Sequence, residues 1–236
     1  MSRQLVAVSH GTRDPRGQAA IRALVGAVRR RRPDLDVREA FVDVQAPDLG
    51  AVLDRAGPAA VVVPLLLAPG HHVHVDVARA VAAAGAVAAP ALAPDDGIAA
   101  VLVDRLRGCG AGTDDTVVLA AAGSSDVRAR PAVEETARRV AALWGAPVEV
   151  GCLGGTGEPL HAVLARSWRP GRRVVCAAML MAPGFFHDRL RSAGADLVTG
   201  PLLDGRRPDP RLVGLVVERY EAALAATLAG SGVISG

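Results

Sequence analysis

Short apolar runs of strand length alternate along the chain with amphipathic stretches of helical length. In the first half the pattern predicts strands over 4–9, 36–41, 59–67 and 86–91. Helices are predicted over 17–31, 48–56, 75–84 and 95–107, the last closing the half. A polar, glycine-rich linker covers 108–115. Beyond it the order repeats, with strands over 116–121, 147–152, 173–181 and 196–199 and helices over 128–144, 158–167, 184–193 and 210–228. Residues 229–236 are small and glycine-rich and read as a frayed tail. Unbroken apolar runs such as Val61 to Leu67 suit strands buried on both faces of a parallel sheet. The expected fold is therefore α/β: two tandem, similar open parallel-sheet domains of βαβ units facing a cleft, 1–110 and 111–236.

The repeat is unequal in its chemistry. Residues 5–13, LVAVSHGTR, align with 117–125, VVLAAAGSS, so His10 falls on Ala122. The run VVVPLLLAPGHH aligns with VCAAMLMAPGFF, so His72 falls on Phe186. Asp43, in FVDVQAP, is expected to fall on Gly155. The glycines and the Ala-Pro-Gly turn stay while the imidazoles and the carboxylate go. Ligands of open parallel sheets bind at the carboxyl ends of the strands. His10 and His72 both emerge there and form the candidate centre, which belongs to the first half alone.

Composition narrows the partners. Half of the 236 residues are apolar, mostly alanine and valine, and aromatics are only 3%. The formal net charge is +3, and every basic residue is arginine. These arginines form no single stripe and aromatics are too few for base stacking, which argues against nucleic acid. Arginine suits bidentate carboxylate recognition. The three cysteines are scattered and match no CxxC spacing, so neither a disulfide framework nor a structural zinc site is expected. No apolar stretch is long enough for a membrane span and the start has no signal-peptide layout, so a cytoplasmic protein is expected.

Neutral imidazole is a borderline ligand for divalent ions and titrates near neutrality, so His10 and His72 can hold a metal and accept a proton. Asp43 has two readings, a metal or proton ligand, or a loop carboxylate accepting turn N–H groups. His74 could share a ligand face with His72 only in an extended segment, and the His71 backbone can line the pocket. His161 and His187 lie in the half without the pair and read as surface or helix-end residues.

The segments SHGTR (9–13), FVDVQAP (41–47) and PLLLAPGHHVHVDV (64–77) resemble, in order and spacing, the sirohydrochlorin chelatases. These are the class II tetrapyrrole chelatases of siroheme and cobalamin synthesis, and the resemblance to their long two-domain form covers nearly the whole chain. It implies two chelatase-like domains, with metal insertion confined to one. It implies that His10 and His72 are catalytic and hold the metal, His10 also taking a proton from the macrocycle. Asp43 stands where relatives often carry glutamate. Leu67, Ala68, Pro69, Gly70 and His71 would line the tetrapyrrole pocket, with Arg13 and Arg16 as candidate carboxylate anchors. No resident cofactor is implied; the divalent ion, Fe2+, Co2+ or Ni2+, is a substrate beside the sirohydrochlorin-type tetrapyrrole. One chain supplies both sides of a cleft, so a monomer is expected.

Two other readings compete. The same ligands would serve a non-catalytic metal or tetrapyrrole carrier. The Ser9-His10-Gly11-Thr12 segment is also similar to the Arg-His-Gly of histidine phosphatases, but position 9 lacks the arginine that grips phosphate.

Overall fold

A computed structural model describes residues 4–68, 70 and 73–231, except for the side chains of residues 73, 74, 230 and 231. Two four-stranded parallel sheets carry the chain. The first has the order β2-β1-β3-β4, from β1 (Gln4–Ser9), β2 (Asp36–Phe41), β3 (Ala60–Pro64) and β4 (Val87–Ala88). The second repeats it as β6-β5-β7-β8, from β5 (Thr116–Ala121), β6 (Val148–Cys152), β7 (Val174–Met179) and β8 (Leu197–Val198). Both are α/β units with helices on both faces, as the continuous apolar strands require.

The helices are α1 (Pro15–Arg31), α2 (Leu49–Ala56), α3 (Ala78–Ala84), α4 (Asp96–Gly108), α5 (Arg130–Trp144), α6 (Leu160–Ser167), α7 (Phe185–Arg191) and α8 (Pro210–Ser231). Several bounds differ from the sequence pattern. The strand expected over 59–67 ends at Pro64, because proline has no N–H to extend the ladder. The edge strands β4 and β8 are only two residues long. Helix α1 starts earlier, since Pro15 is favourable at a first helical position and Asp14 caps it. The helix expected over 75–84 splits into a π-helical turn, Val73–Val77, and α3. Helix α8 runs on to Ser231, past the end expected at 228.

The closing helices are exchanged between the halves. Helix α4 packs on α5 and β7 of the second half, although it ends the first in sequence. Helix α8 packs on α1, β3 and β4 of the first. One apolar core therefore spans both sheets and includes Leu24, Leu102, Leu106, Leu119, Val216 and Tyr220. Separate clusters cover the outer faces, around Leu53 and Val62 in one half and Val163 and Leu190 in the other. Leu102 and Leu106 of α4 are fully buried, and burying such a side chain stabilises by about 2 kcal/mol. The pair between Asp96 of α4 and Arg139 of α5 has its aspartate 88% exposed, and such surface pairs contribute about 0–1 kcal/mol. Apolar burial, not the ion pair, fixes α4 in the opposite half.

Candidate functional site

The strand order changes direction between β1 and β3 in the first sheet and between β5 and β7 in the second. In open α/β sheets the crevice at such a switch point receives the ligand. His10 follows β1 directly, and Ala122 follows β5 in the same way. The loops after β3 and β7 leave the sheets on the other side of each crevice.

A tight turn positions His10. The β1–β2 ladder continues past the strands, with Val42 N–H donating to the Ser9 carbonyl and Asp43 N–H to that of His10, both at 3.0 Å. This brings the Asp43 backbone so close to Gly11 that a Cβ there would stand 2.1 Å from the Asp43 carbonyl oxygen. Gly11 also has φ +94°, a conformation that favours glycine. Side chains then hold the next peptide. Gln45 Oε1 accepts from the Thr12 amide at 2.8 Å, and Gln18 Nε2 donates to the Thr12 carbonyl at 2.8 Å. Thr12 Oγ1 accepts from the Asp14 amide at 3.1 Å, and Asp14 caps α1 by accepting from the Arg16 amide at 2.8 Å.

The second half rebuilds this scaffold without the imidazole. Gly123 has φ +85°, and its Cβ would clash with the Gly154 carbonyl. Ser124 Oγ accepts from the Asp126 amide, and Asp126 accepts from the Arg128 amide, both at 3.0 Å. The ladders also refine the expected repeat. Phe41 stands opposite Ser9 and Cys152 opposite Ala121, so Asp43 corresponds to Gly154 rather than Gly155. Gly155, at φ +73°, instead matches Val44, the one non-glycine with positive φ (52°) among the described residues.

The two crevices share one cavity of about 760 Å³. Loops from opposite halves meet around it: a Cβ on Gly17 would be 2.7 Å from the Pro183 carbonyl oxygen, and one on Gly70 would be 3.7 Å from Ser124 Oγ. The first half contributes Ser9, His10, Thr12 and Gln45, with Leu67, Ala68 and Gly70 from the loop after β3. The second contributes Asp126, Arg130, Glu134 and Glu158, an apolar floor including Val150 and Met179, and the rings of Phe185 and Phe186.

Of the residues singled out in the sequence, His10 is exposed on this cavity, and Leu67, Ala68 and Gly70 line it. Pro69, His71 and His72 lie outside the described residues, as does the side chain of His74. Asp43 and Arg13 are exposed and stand outside the cavity wall; the Asp43 carboxylate accepts from the Val44 amide at 2.7 Å. Arg16 is held by two carboxylates, Asp14 and Asp188 of α7, each at 2.6 Å. It ties the start of α1 to the other half. The guanidinium holds the Asp14 carboxyl down at about 2, chiefly through their hydrogen bonds. His161 is exposed on α6, and His187 Nε2 is 3.1 Å from the Thr199 carbonyl oxygen, a structural contact at a helix.

Sequence reasoning missed Gln45, Gln18 and Ser9. Gln45 was visible only as part of the 41–47 segment, because its bond to Thr12 spans two loops. Ser9 Oγ is buried in the wall beside His10 with no hydrogen-bond partner among the described residues. Its loss to Ala121 in the repeat was a legible signal. Cys152 also lines the cavity, and burial pushes its thiol up; burial pushes Cys176 up to about 12. Both are protonated at neutrality, which disfavours thiolate chemistry. No helix among the described residues is long and apolar enough to cross a membrane.

This is the architecture of the two-lobed tetrapyrrole chelatases. The chain superposes on SirB from Bacillus subtilis with Fe3+ at TM-score 0.79 and 16% identity, covering 97% of this chain and 98% of that one. The sirohydrochlorin chelatase SirB from Bacillus subtilis subspecies spizizenii in complex with cobalt gives TM-score 0.75 and 16% identity over 94% and 95%. CbiX, the terminal enzyme for biosynthesis of siroheme in denitrifying bacteria, gives TM-score 0.67 and 25% identity over 94% and 99%. No curated protein matches in sequence. Residues 4–109 match the family model CbiX, and the whole chain has the fold of these chelatase structures.

Proposed function

We propose that this protein inserts a divalent metal ion, Fe2+ or Co2+ with Ni2+ a further candidate, into a sirohydrochlorin-type tetrapyrrole, as a cytoplasmic monomer without a resident cofactor. The observation that carries this reading is the shared cavity of about 760 Å³, with an exposed imidazole, His10, on one wall and an aromatic pair on the other. A half-open, largely apolar cleft with a few polar groups suits a flat macrocycle bearing acidic side chains. The halves 1–110 and 111–236 divide the work: the first supplies the metal chemistry and the second the facing wall.

The chemistry requires two pyrrole N–H groups to lose their protons as the ion sheds water and binds the ring nitrogens. Neutral His10 accepts one proton to become imidazolium, and the second passes to His72 or to solvent. The ring leaves as a dianion neutralising the metal's two charges, and both protons are released to water. Two imidazoles hold the ion weakly enough to hand it on, which a closed four-ligand cage would not do. Asp43, on the rim of the same turn, would receive a proton or steer the ion at the mouth. Arg13 is exposed and available to a substrate carboxylate, whereas Arg16 is already paired.

The test is the absorbance of sirohydrochlorin mixed anaerobically with ferrous or cobaltous ion, with and without catalytic protein. Conversion faster than the uncatalysed reaction supports the proposal and ranks the metals. A stoichiometric spectral shift without turnover would favour the carrier instead.

A further inference from the structure

The chain is poor in aromatics and holds only three phenylalanines, yet two are adjacent and exposed at the cavity. Phe185 is 72% exposed and Phe186 41%, and both line the wall. Their rings meet edge to face, 5.3 Å apart at 74°. They open α7, which is otherwise tied down. Leu190 is fully buried, His187 contacts the Thr199 carbonyl, and Asp188 pairs with Arg16 across the halves. Gly184 before them has φ +149°, and its Cβ would be 3.7 Å from that of Asp14, so the other half closes against the turn that presents the rings. The scaffold spends two large apolar side chains where neither is buried by the fold. In the sequence repeat Phe186 aligns with His72, and the strands that lead to the two segments, β3 and β7, hold the same register against β1 and β5.

We infer that Phe185 and Phe186 form a stacking platform for the face of the conjugated macrocycle, supplied by the half that carries no imidazole pair. The inference rests on the tetrapyrrole reading above and deepens it. A conjugated ring is the occupant these residues suit: the platform is continuous with the cavity that holds His10, and aromatic faces pair with offset or edge-on aromatic partners. Rings at the mouth would hold the macrocycle with one face open to His10, which receives the pyrrole proton. They are positioning residues and take no part in proton transfer.

The test is a titration of metal-free sirohydrochlorin followed by absorbance, using the full chain and Phe186→Ala, Phe186→Leu, Phe186→Trp and Phe185→Ala. Thermal melting and sedimentation are measured on each. The expected result is roughly ten-fold weaker binding for both alanine variants. Weakening in Phe186→Leu, near wild-type binding in Phe186→Trp and unchanged melting are also expected. Leucine keeps apolar bulk without a π-face, so this pattern separates stacking from simple hydrophobic contact. Equal binding by wild type and all variants would overturn the platform while leaving the tetrapyrrole reading intact. Unchanged binding with a shift from dimer to monomer would reassign the rings to a contact between copies of the chain. Failure of the wild type to bind would overturn both readings.

Discussion

Gly11 packs so closely against the backbone of Asp43 that a Cβ on it would stand 2.1 Å from the Asp43 carbonyl oxygen, so no side chain fits there. That contact sets the path of the chain immediately after His10 and joins the β1 and β2 loops into one unit. Gly11→Ala is expected to lower stability by about 2–4 kcal/mol, from a strained positive φ plus displacement of a backbone carbonyl. Gly145 also has positive φ (+83°), in the ordinary left-handed region, but nothing within 4 Å of the Cβ position. Gly145→Ala should therefore cost only about 1 kcal/mol. Urea unfolding of the two variants compares them, and equal losses would show that the contact with Asp43 is unimportant.

His10 is exposed and its imidazole has no hydrogen bond among the described residues, so its removal leaves no buried group unpaired. His10→Ala is expected to abolish metal insertion while shifting the melting temperature by less than about 2 °C, as for a surface substitution. His72→Ala should have the same effect on turnover. Comparable turnover in either variant would remove that histidine from the proposed centre.

Gln45 acts through the Thr12 amide. Gln45→Leu keeps the bulk and removes the acceptor, leaving a half-buried N–H unpaired. A stability loss of about 1 kcal/mol is expected, with a fall in turnover that Gln45→Glu partly restores, since a carboxylate still accepts from an amide. Turnover unchanged in Gln45→Leu would mean that the turn holds its shape without this bond.

Val44 is a β-branched residue at φ 52°, where the sister repeat has Gly155. The left-handed conformation costs a residue with a Cβ roughly 1–2 kcal/mol. The greater freedom of glycine in the unfolded chain offsets about 0.5–1 kcal/mol of the gain. Val44→Gly should thus be neutral or stabilising by up to about 1 kcal/mol in urea unfolding, where a valine-to-glycine change normally destabilises. A clear loss would show that the side chain packs in a way that outweighs the strain.

Asp14 titrates at about 2 because of Arg16, below its ordinary 3.8. A carboxyl whose folded pKa is depressed adds stability that is complete above the unfolded pKa and lost as pH falls through the folded one. Asp14→Asn keeps a capping oxygen but removes the charge. Wild type should therefore melt above Asp14→Asn at pH 7, and the gap should shrink as pH falls from about 4 to about 2, between the ordinary value of 3.8 and the folded value of about 2. A gap independent of pH would assign the effect to the cap alone.

The sequence by itself determined the two four-stranded parallel sheets, their order of elements and the asymmetry of the repeat. These follow from local periodicity, from apolar runs buried on both faces, from identities that survive at Gly11 against Gly123 and at the Ala-Pro-Gly turns, and from the loss of His10 at Ala122. It also marked the loop after β3, because glycine and proline punctuate turns wherever they occur. Only the tertiary structure decided that α4 and α8 exchange halves, since which sheet buries an amphipathic face is set by contacts remote in sequence. The same is true of the register that matches Asp43 to Gly154, and of the Gln45–Thr12 bond. Arg16, equally legible as a carboxylate anchor, is instead spent on Asp188, a partner 172 positions away that no spacing rule could name. The cavity itself joins loops of both halves, so its second wall, with Phe185 and Phe186, exists only once the shared core has brought the sheets together.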